Sequence, residues 1–315
     1  MTRRAWWAFG FMSVVWGGSY LLIKVAINGG LPAPDIAWMR VALAAVVLVV
    51  PAWRAGRLPS LRGRWRWIVA YAVAEISIPF PLIAAGEVHV ASSLTAIIIA
   101  AVPLLVIVLS LRFDPAERPT PLRALGLVVG FAGVIALVGL DLGGDSAELL
   151  GAGAIFIGAV GYAIGPMVVK LGMQGLDSGA VMGASLLVAT VILAPFAAVD
   201  IPSRMPSAGA FAAVAALGFV CTAAAFVVYT LLIREAGTGR ATVITYINPL
   251  VALVLGMTLL GERPGPGAVV GLVLILAGSW LATGGKLPPL VGGLGVPRRG
   301  RRGSSRERAA GSRGV

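Results

Sequence analysis

Residues 117–139 read ERPTPLRALGLVVGFAGVIALVG, and residues 262–284 read ERPGPGAVVGLVLILAGSWLATG. At an offset of 145 the two stretches share ten identities in 23 positions, with Glu117, Arg118, Pro119 and Pro121 falling on Glu262, Arg263, Pro264 and Pro266. A charged turn followed by an apolar run, repeated in register, marks an internal duplication. Upstream the offset becomes 146 and pairs Pro103 with Pro249 and Lys24 with Lys170. One unit is written twice, and the composition of that unit decides the fold.

The unit is built of long apolar runs. Of 315 residues, 58% are hydrophobic and 12% are charged, and the mean hydropathy is +0.95. A soluble domain is about half apolar and about one quarter charged, so this chain lacks the polar surface that water requires. In lipid every backbone donor and acceptor must be paired within the protein, which leaves helices or a closed barrel. Barrel strands would alternate over segments of about ten residues. Here the runs approach twenty residues and are apolar on all faces, the length of a helix crossing a core of about 30 Å. The sequence predicts ten such helices, near 5–27, 34–53, 66–85, 91–111, 122–140, 149–170, 178–199, 208–233, 241–260 and 267–284. Arg3 and Arg4 ahead of the first run imitate a secretory leader, but no small-residue cleavage site follows, and the run is read as helix 1.

Lys and Arg gather on the cytoplasmic side of a membrane protein. With the N-terminus inside, 21 of the 25 fall in cytoplasmic segments, Arg204 and Arg263 fall outside, and Lys24 and Arg40 fall within spans. Five spans per repeat is an odd number, so the second copy enters the bilayer from the opposite face. The predicted fold is an all-α integral membrane protein of ten transmembrane helices, arranged as two inverted five-helix repeats with both termini cytoplasmic. Its parts are a first repeat at 1–142, a second at 143–285 and a disordered basic cytoplasmic tail at 286–315. The tail sets eight Lys and Arg against Glu307 and is rich in Gly, Ser and Pro, a composition that cannot bury a core. Its expected partner is the anionic surface of the lipid bilayer, not nucleic acid. Inverted repeats are a device of secondary transporters, whose halves rock about a site near the midplane.

Glu75 is the most informative single residue. It lies ten residues into the third predicted helix, about 15 Å deep. An ionised side chain there costs at least ~2.5 kcal/mol unless it pairs, faces water or takes up a proton. It is read as a cavity residue that binds a cationic group or carries a proton, with a neutral packed carboxyl as the alternative. Trp16 and Tyr20, four residues apart, share a face of helix 1, and the 146 offset sets Tyr162 at the matching place in helix 6. Such aromatic faces suit a small amphipathic solute or plain interhelical packing. Pro103 and Pro249 remove a hydrogen bond inside helices 4 and 9 and are expected to kink both, as hinges of the transport path. Tyr246 and Asn248 beside one kink, and Ser93 ahead of the other, add polar groups. Arg40 is expected to snorkel or to pair with Asp35, and Lys24 and Lys170 to snorkel. Glu87 and His89 are expected to be solvated in a loop at the outer mouth.

One cysteine (Cys221) and one histidine (His89) exclude a disulfide framework and a His/Cys metal cluster. Nothing matches a phosphate-binding loop or a nucleophile with its base, so no catalytic residue, metal or cofactor is expected. Trp16-Gly17-Gly18-Ser19 and Lys24, the run Gly86-Glu87-Val88-His89-Val90-Ala91-Ser92-Ser93-Leu94, Pro103, and Asn248-Pro249 ahead of Gly261-Glu262-Arg263 resemble the EamA-type branch of the drug/metabolite transporter superfamily. The resemblance spans residues 5–284. It implies ten helices in two five-helix repeats in the bacterial plasma (inner) membrane and, for many members, export of amino acids or related metabolites. The expected function is secondary active transport of small organic metabolites, with amino acids preferred, by alternating access. A multidrug or toxic-compound exporter is the nearest alternative. A membrane receptor or assembly factor is another, and it would move no solute.

Overall fold

The computed structural model describes residues 2–113, 120–141, 145–199, 202, 205–237, 241 and 243–282. The predicted tail at 286–315, the turn at 117–119 and the Gly143-Gly144 connection lie outside them. Among the described residues the regular structure is helical, with elements α1 Arg3–Asn28, α2 Ala33–Arg54, α3 Trp65–Tyr71, α4 Pro79–His89, α5 Ser92–Ile99, α6 Val102–Phe113, α7 Pro121–Asp141, α8 Ser146–Gly172, α9 Ser178–Val199, α10 Ala208–Gly218, α11 Ala225–Ala236, α12 Ile244–Leu259 and α13 Pro266–Ala282. π-Helical turns at Ala72–Ser77 and Phe219–Ala224 join α3 to α4 and α10 to α11. Eight of the resulting stretches are long and apolar enough to cross a membrane, and α12 and α13 are shorter apolar helices. The chain is an all-α membrane protein.

Local chemistry sets the helix starts. Side-chain oxygens of Thr2, Asp145, Asp177 and Ser207 accept hydrogen bonds from Ala5, Ala147, Ala180 and Ala210 N–H groups at 2.9–3.1 Å, satisfying amides that the first turn leaves open. Pro121 and Pro266 open α7 and α13, where a missing N–H costs nothing.

The two π-turns have separate causes. Pro79 has no N–H to close on the Glu75 carbonyl, and the Ile78 N–H reaches back five residues to Val73 at 3.0 Å. In the second turn Thr222 Oγ1 donates to the Leu217 carbonyl, also five residues back, at 2.8 Å, inserting a side chain into the ladder. The turns stand 147 residues apart.

Packing joins the halves of the chain element by element. α2 lies along α9, α4 along α8, α1 along α12 and α10, and α7 along α13. The α7–α13 seam is glycine against backbone. A Cβ on Gly278 would lie 2.3 Å from Gly130 N, and one on Gly126 would lie 2.3 Å from Ala282 N. Small residues let membrane helices approach this closely. Gly126 faces Ala282 and Gly278, while Gly133 faces Ile275 and Gly271, so these sequence-matched helices run antiparallel. α1 and α12 also cross closely at Gly17, whose added Cβ would meet the Asn248 carbonyl at 2.8 Å.

The bundle has two unlike ends. One carries Arg57 paired with Asp177 at 3.1 Å, Arg64 bonded to the Gly172 carbonyl at 3.3 Å, and Thr2 bonded to Glu235; we call it the basic end. At the opposite end Ser207 N–H donates to the Gly29 carbonyl at 2.9 Å.

The expected kink near Pro103 is a two-residue interruption of the α-helix: α5 ends at Ile99, and α6 resumes at Val102. Pro249 differs. It lies six residues into α12, which continues to Leu259. The third predicted span is also longer than expected, because Gly86 lies inside α4 and Glu87 in its last turn. A Cβ at Gly86 would meet Ile155 Cγ1 at 2.5 Å and the Gly151 carbonyl at 2.6 Å, so the glycine permits close packing of α4 on α8 instead of forming a turn.

Candidate functional site

A cavity of about 800 Å³ occupies the middle of the bundle. α1 contributes Trp16, Ser19, Tyr20 and Ile23, and α2 contributes Arg40. The first π-turn and its flanks add Tyr71, Glu75, Phe80 and Ile83, and the α5–α6 break adds Ile99, Val102 and Pro103. Across the cavity stand Tyr162 and Pro166 of α8, Leu186 of α9, Cys221 and Thr222 of the second π-turn, Tyr229 of α11, and Thr245, Tyr246 and Asn248 of α12. α7 and α13 contribute nothing to the described lining. π-Turns inside α-helices recur at functional sites, and here both supply cavity wall.

Glu75 is half-buried, and its Oε2 is enclosed without a hydrogen-bond partner. The carboxylate rests on Gly165, where an added Cβ would lie 1.8 Å from Oε2 and 2.9 Å from Cδ. Only a residue without a side chain leaves room for it. Arg40 is the second charge. Its Nε–H donates to Thr222 Oγ1 at 2.8 Å, and its guanidinium stacks 4.1 Å from the centroid of Phe80. No carboxylate lies within ion-pair distance of it among the described residues. The expected snorkelling or local pairing with Asp35 is replaced by a guanidinium fixed in the cavity wall. Phe80 meets Tyr162 edge-on at 6.5 Å, and Trp16 meets Tyr229 at 5.0 Å.

One end of the cavity is closed. Ile23, Ile83 and Ile99 are 2%, 3% and 9% exposed, and two polar ties lie beyond them. Lys24 Nζ donates to the carbonyls of Glu87 and Val90 at 2.5 and 3.1 Å, covering the open carbonyls at the end of α4. It does not reach out to the surface as expected. Glu262 accepts from Ser92 N, Ser92 Oγ and Ser93 N at 2.8, 2.7 and 3.0 Å. It thereby caps α5 across 170 residues of sequence, with its negative charge at the positive end of the helix. Burial raises the Glu262 carboxyl, but the hydrogen bonds from Ser93 and Ser92 outweigh it and hold the group below the ordinary carboxylate value. Glu87, expected to be solvated, is fully buried, and neither carboxylate oxygen has a partner. Toward the basic end the wall runs on through Tyr71, Val169, Ile233 and Tyr246, and Val169 is 39% exposed.

The structure brings Trp16, Tyr20, Glu75, Pro103, Tyr162, Tyr246 and Asn248 to one cavity. Asn248 Oδ1 is another buried acceptor without a partner. Ser93 lies outside the wall, in the Glu262 tie, and Pro249 is buried outside it. Reasoning from sequence missed Arg40, Phe80, Thr222 and Tyr229. One signal was available: the 146 offset sets Cys221 opposite Glu75, one residue before Thr222.

The EamA-like transporter family model matches twice, at residues 5–139 and 149–284. The chain is 29% identical over 285 residues to the uncharacterized inner membrane transporter YedA of Escherichia coli (strain K12), covering 87% of this chain and 88% of the relative. It is 30% identical over 286 residues to a probable terminal-alkyne amino-acid exporter of Streptantibioticus cattleyicolor, covering 88% and 93%. A crystal structure at 20% identity superposes with a TM-score of 0.64 over 89% of this chain and 97% of the other, a likeness of fold. With two family matches spanning nearly all of the helical bundle, the chain belongs to the EamA-like transporter family, as a multi-pass protein of the bacterial inner membrane.

Proposed function

We propose that the chain is a secondary transporter that exports amino acids or related small metabolites by alternating access. In this reading its ten crossings form two inverted repeats, 1–142 and 143–285, with both termini cytoplasmic and the basic end facing the cytoplasm. The observation that carries the proposal is the cavity, tied shut at one end by Lys24 and Glu262 and continued toward the basic end by Tyr71, Val169 and Tyr246. That is the shape of a carrier resting with its site open to one side. Inversion is supported by the antiparallel run of α7 and α13, by the two π-turns at an offset of 147, and by the doubled family match. Exchanging the halves turns the α4–α8 contact into α1–α11, both of which occur.

In the proposed cycle, solute enters from the cytoplasmic side and settles among Trp16, Tyr162 and Tyr229. The halves then rock, with the α5–α6 break at Ala100–Ala101 as one flexing point, and the Lys24 and Glu262 ties release. A solute can drive the change only through its different affinity for the two states. Amino acids are preferred because a 30% identical relative is named an amino-acid exporter and because the cavity holds charges of both signs. Its aromatic wall would also suit amphipathic cations, the multidrug alternative, but Arg40 opposes them.

The experiment is flux through purified protein in proteoliposomes, using a panel of amino acids, nucleosides and cationic dyes. Counterflow of at least one amino acid is expected. Dye flux without amino-acid flux would select the multidrug reading, and no flux of any solute would favour a receptor or assembly factor.

A further inference from the structure

We propose that Arg40 and Glu75 form a two-point clamp, in which the guanidinium takes the carboxylate and Glu75 the ammonium group of a zwitterionic α-amino acid with an uncharged, apolar side chain. The inference rests on the transporter reading above and assigns its substrate class and the roles of two residues.

Arg40 has the features of an anchor prepared for a ligand. A guanidinium carries five N–H donors. The Nε–H is used on Thr222, and the plane is held against Phe80, which leaves the two Nη groups to present a planar fork that matches a carboxylate. A charge held inside a membrane protein normally pairs or faces a water-filled path, and no carboxylate lies within ion-pair distance of Arg40 among the described residues.

Glu75 is the complementary case. Its Oε2 is enclosed and unpartnered, and Gly165 fixes where the group can sit. Oε2 is closed in against Gly165, so an ammonium group in the cavity would meet the carboxylate at its other oxygen, Oε1.

Each of these groups is tied to the neighbourhood of Tyr162 through one neighbour. Arg40 lies on Phe80, whose ring touches Tyr162. Glu75 lies on Gly165, one turn further along α8 from Tyr162. The π-turn contributes directly. Five residues along an α-helix differ in direction by about 140°, and the wider π-turn narrows the gap between Glu75 and Phe80, so that both face the cavity. Beyond the charges the wall is Trp16, Pro103, Tyr229 and Tyr246, which suits an apolar or aromatic side chain.

Charge balance supplies the specificity. A zwitterion satisfies both groups. An amine alone leaves Arg40 desolvated and unpaired, and an acid alone does the same to Glu75, so each one-charge analogue is penalised.

The test is binding to the full-length protein in lipid nanodiscs. Three amino acids serve as probes, L-phenylalanine, L-leucine and L-methionine, each beside its decarboxylated amine and its deaminated acid. Whichever amino acid binds should do so at least about tenfold more tightly than either analogue. Arg40→Gln should weaken that amino acid by about 10–150-fold while leaving the amine unchanged, and Glu75→Gln should do so while leaving the acid unchanged. Arg40→Lys, which keeps the charge without the fork, should recover part of the loss and serves as the folded control if Arg40→Gln elutes as aggregate. Equal binding of amine and amino acid to the native protein would overturn the clamp, as would Arg40→Gln weakening all three forms alike. If none of the amino acids binds while proteoliposomes move cationic dyes, the clamp fails and transport stands. If no solute moves at all, the transporter reading itself has failed.

Discussion

Gly165→Ala is the smallest change that isolates the Glu75 site. The new Cβ would stand 1.8 Å from Oε2, about 1.6 Å short of ordinary contact. The atom it meets is the far end of a flexible side chain, so the carboxylate swings away at little cost. Alanine is also the better helix former, by about 0.5–1 kcal/mol, so Tm should hold or rise. A charge-assisted hydrogen bond contributes about 1.5–3 kcal/mol, and moving its acceptor by about 1.6 Å forfeits most of that, or about 10–150-fold in affinity for an amino acid. Gly161→Ala supplies the contrast. Its Cβ would lie 2.5 Å from the Ala74 carbonyl, a backbone atom that cannot rotate away, so overpacking should cost stability by about 1–3 kcal/mol. The assay pairs thermal unfolding in detergent with binding of L-phenylalanine and of 3-phenylpropionate, which lacks the ammonium group. Native-like affinity for L-phenylalanine in folded Gly165→Ala would refute the placement of its ammonium at Glu75, and so would an equal loss for both ligands.

Gly278→Ala, whose Cβ would meet Gly130 N at 2.3 Å, should push α7 from α13 and cost about 1–3 kcal/mol in unfolding, with affinity unchanged because neither helix lines the described cavity. Glu262→Gln cannot accept from three donors as a carboxylate does, and it should raise labelling of an Ile23→Cys variant from the external face by about tenfold or more. The sign with pH follows from the lowered Glu262 carboxyl: the tie persists above the ordinary carboxylate value and is lost only as pH falls through the lowered one. External labelling should therefore rise in acid in the native protein and stay flat in Glu262→Gln. Replacing Pro103 and Pro249 together with Ala should slow exchange in counterflow while equilibrium binding is kept; unchanged exchange would return both prolines to packing.

The apolar runs and repeated block were enough to read an all-helical membrane bundle, because a lipid solvent leaves the backbone so few choices. Most candidate cavity residues were legible for a related reason. Aromatic and acidic groups at helical spacing and mid-depth have few places to go other than an internal face. Arg40 was not legible, since Asp35 offered a local partner and nothing along the chain says that Thr222, 182 residues away, will reach it. The π-turns escaped as well. They follow from a proline at 79 and a threonine at 222, and each residue type more often leaves a membrane helix in ordinary register. Glu87 was misplaced because the third predicted helix ends at residue 85, whereas α4 runs on to His89 and Gly86 lets it approach α8.

The cavity is proposed to be the solute path and to open to the cytoplasm at rest. This is tested most directly by thiol access in a Cys221→Ala background, which removes the sole native cysteine. A single cysteine replaces Tyr246, and a membrane-impermeant maleimide is applied to right-side-out and inside-out vesicles with and without saturating amino acid. Rapid modification is expected only in inside-out vesicles, slowed by the transported amino acid. Modification only from the external face, or at an undiminished rate under saturating solute, would contradict the proposal.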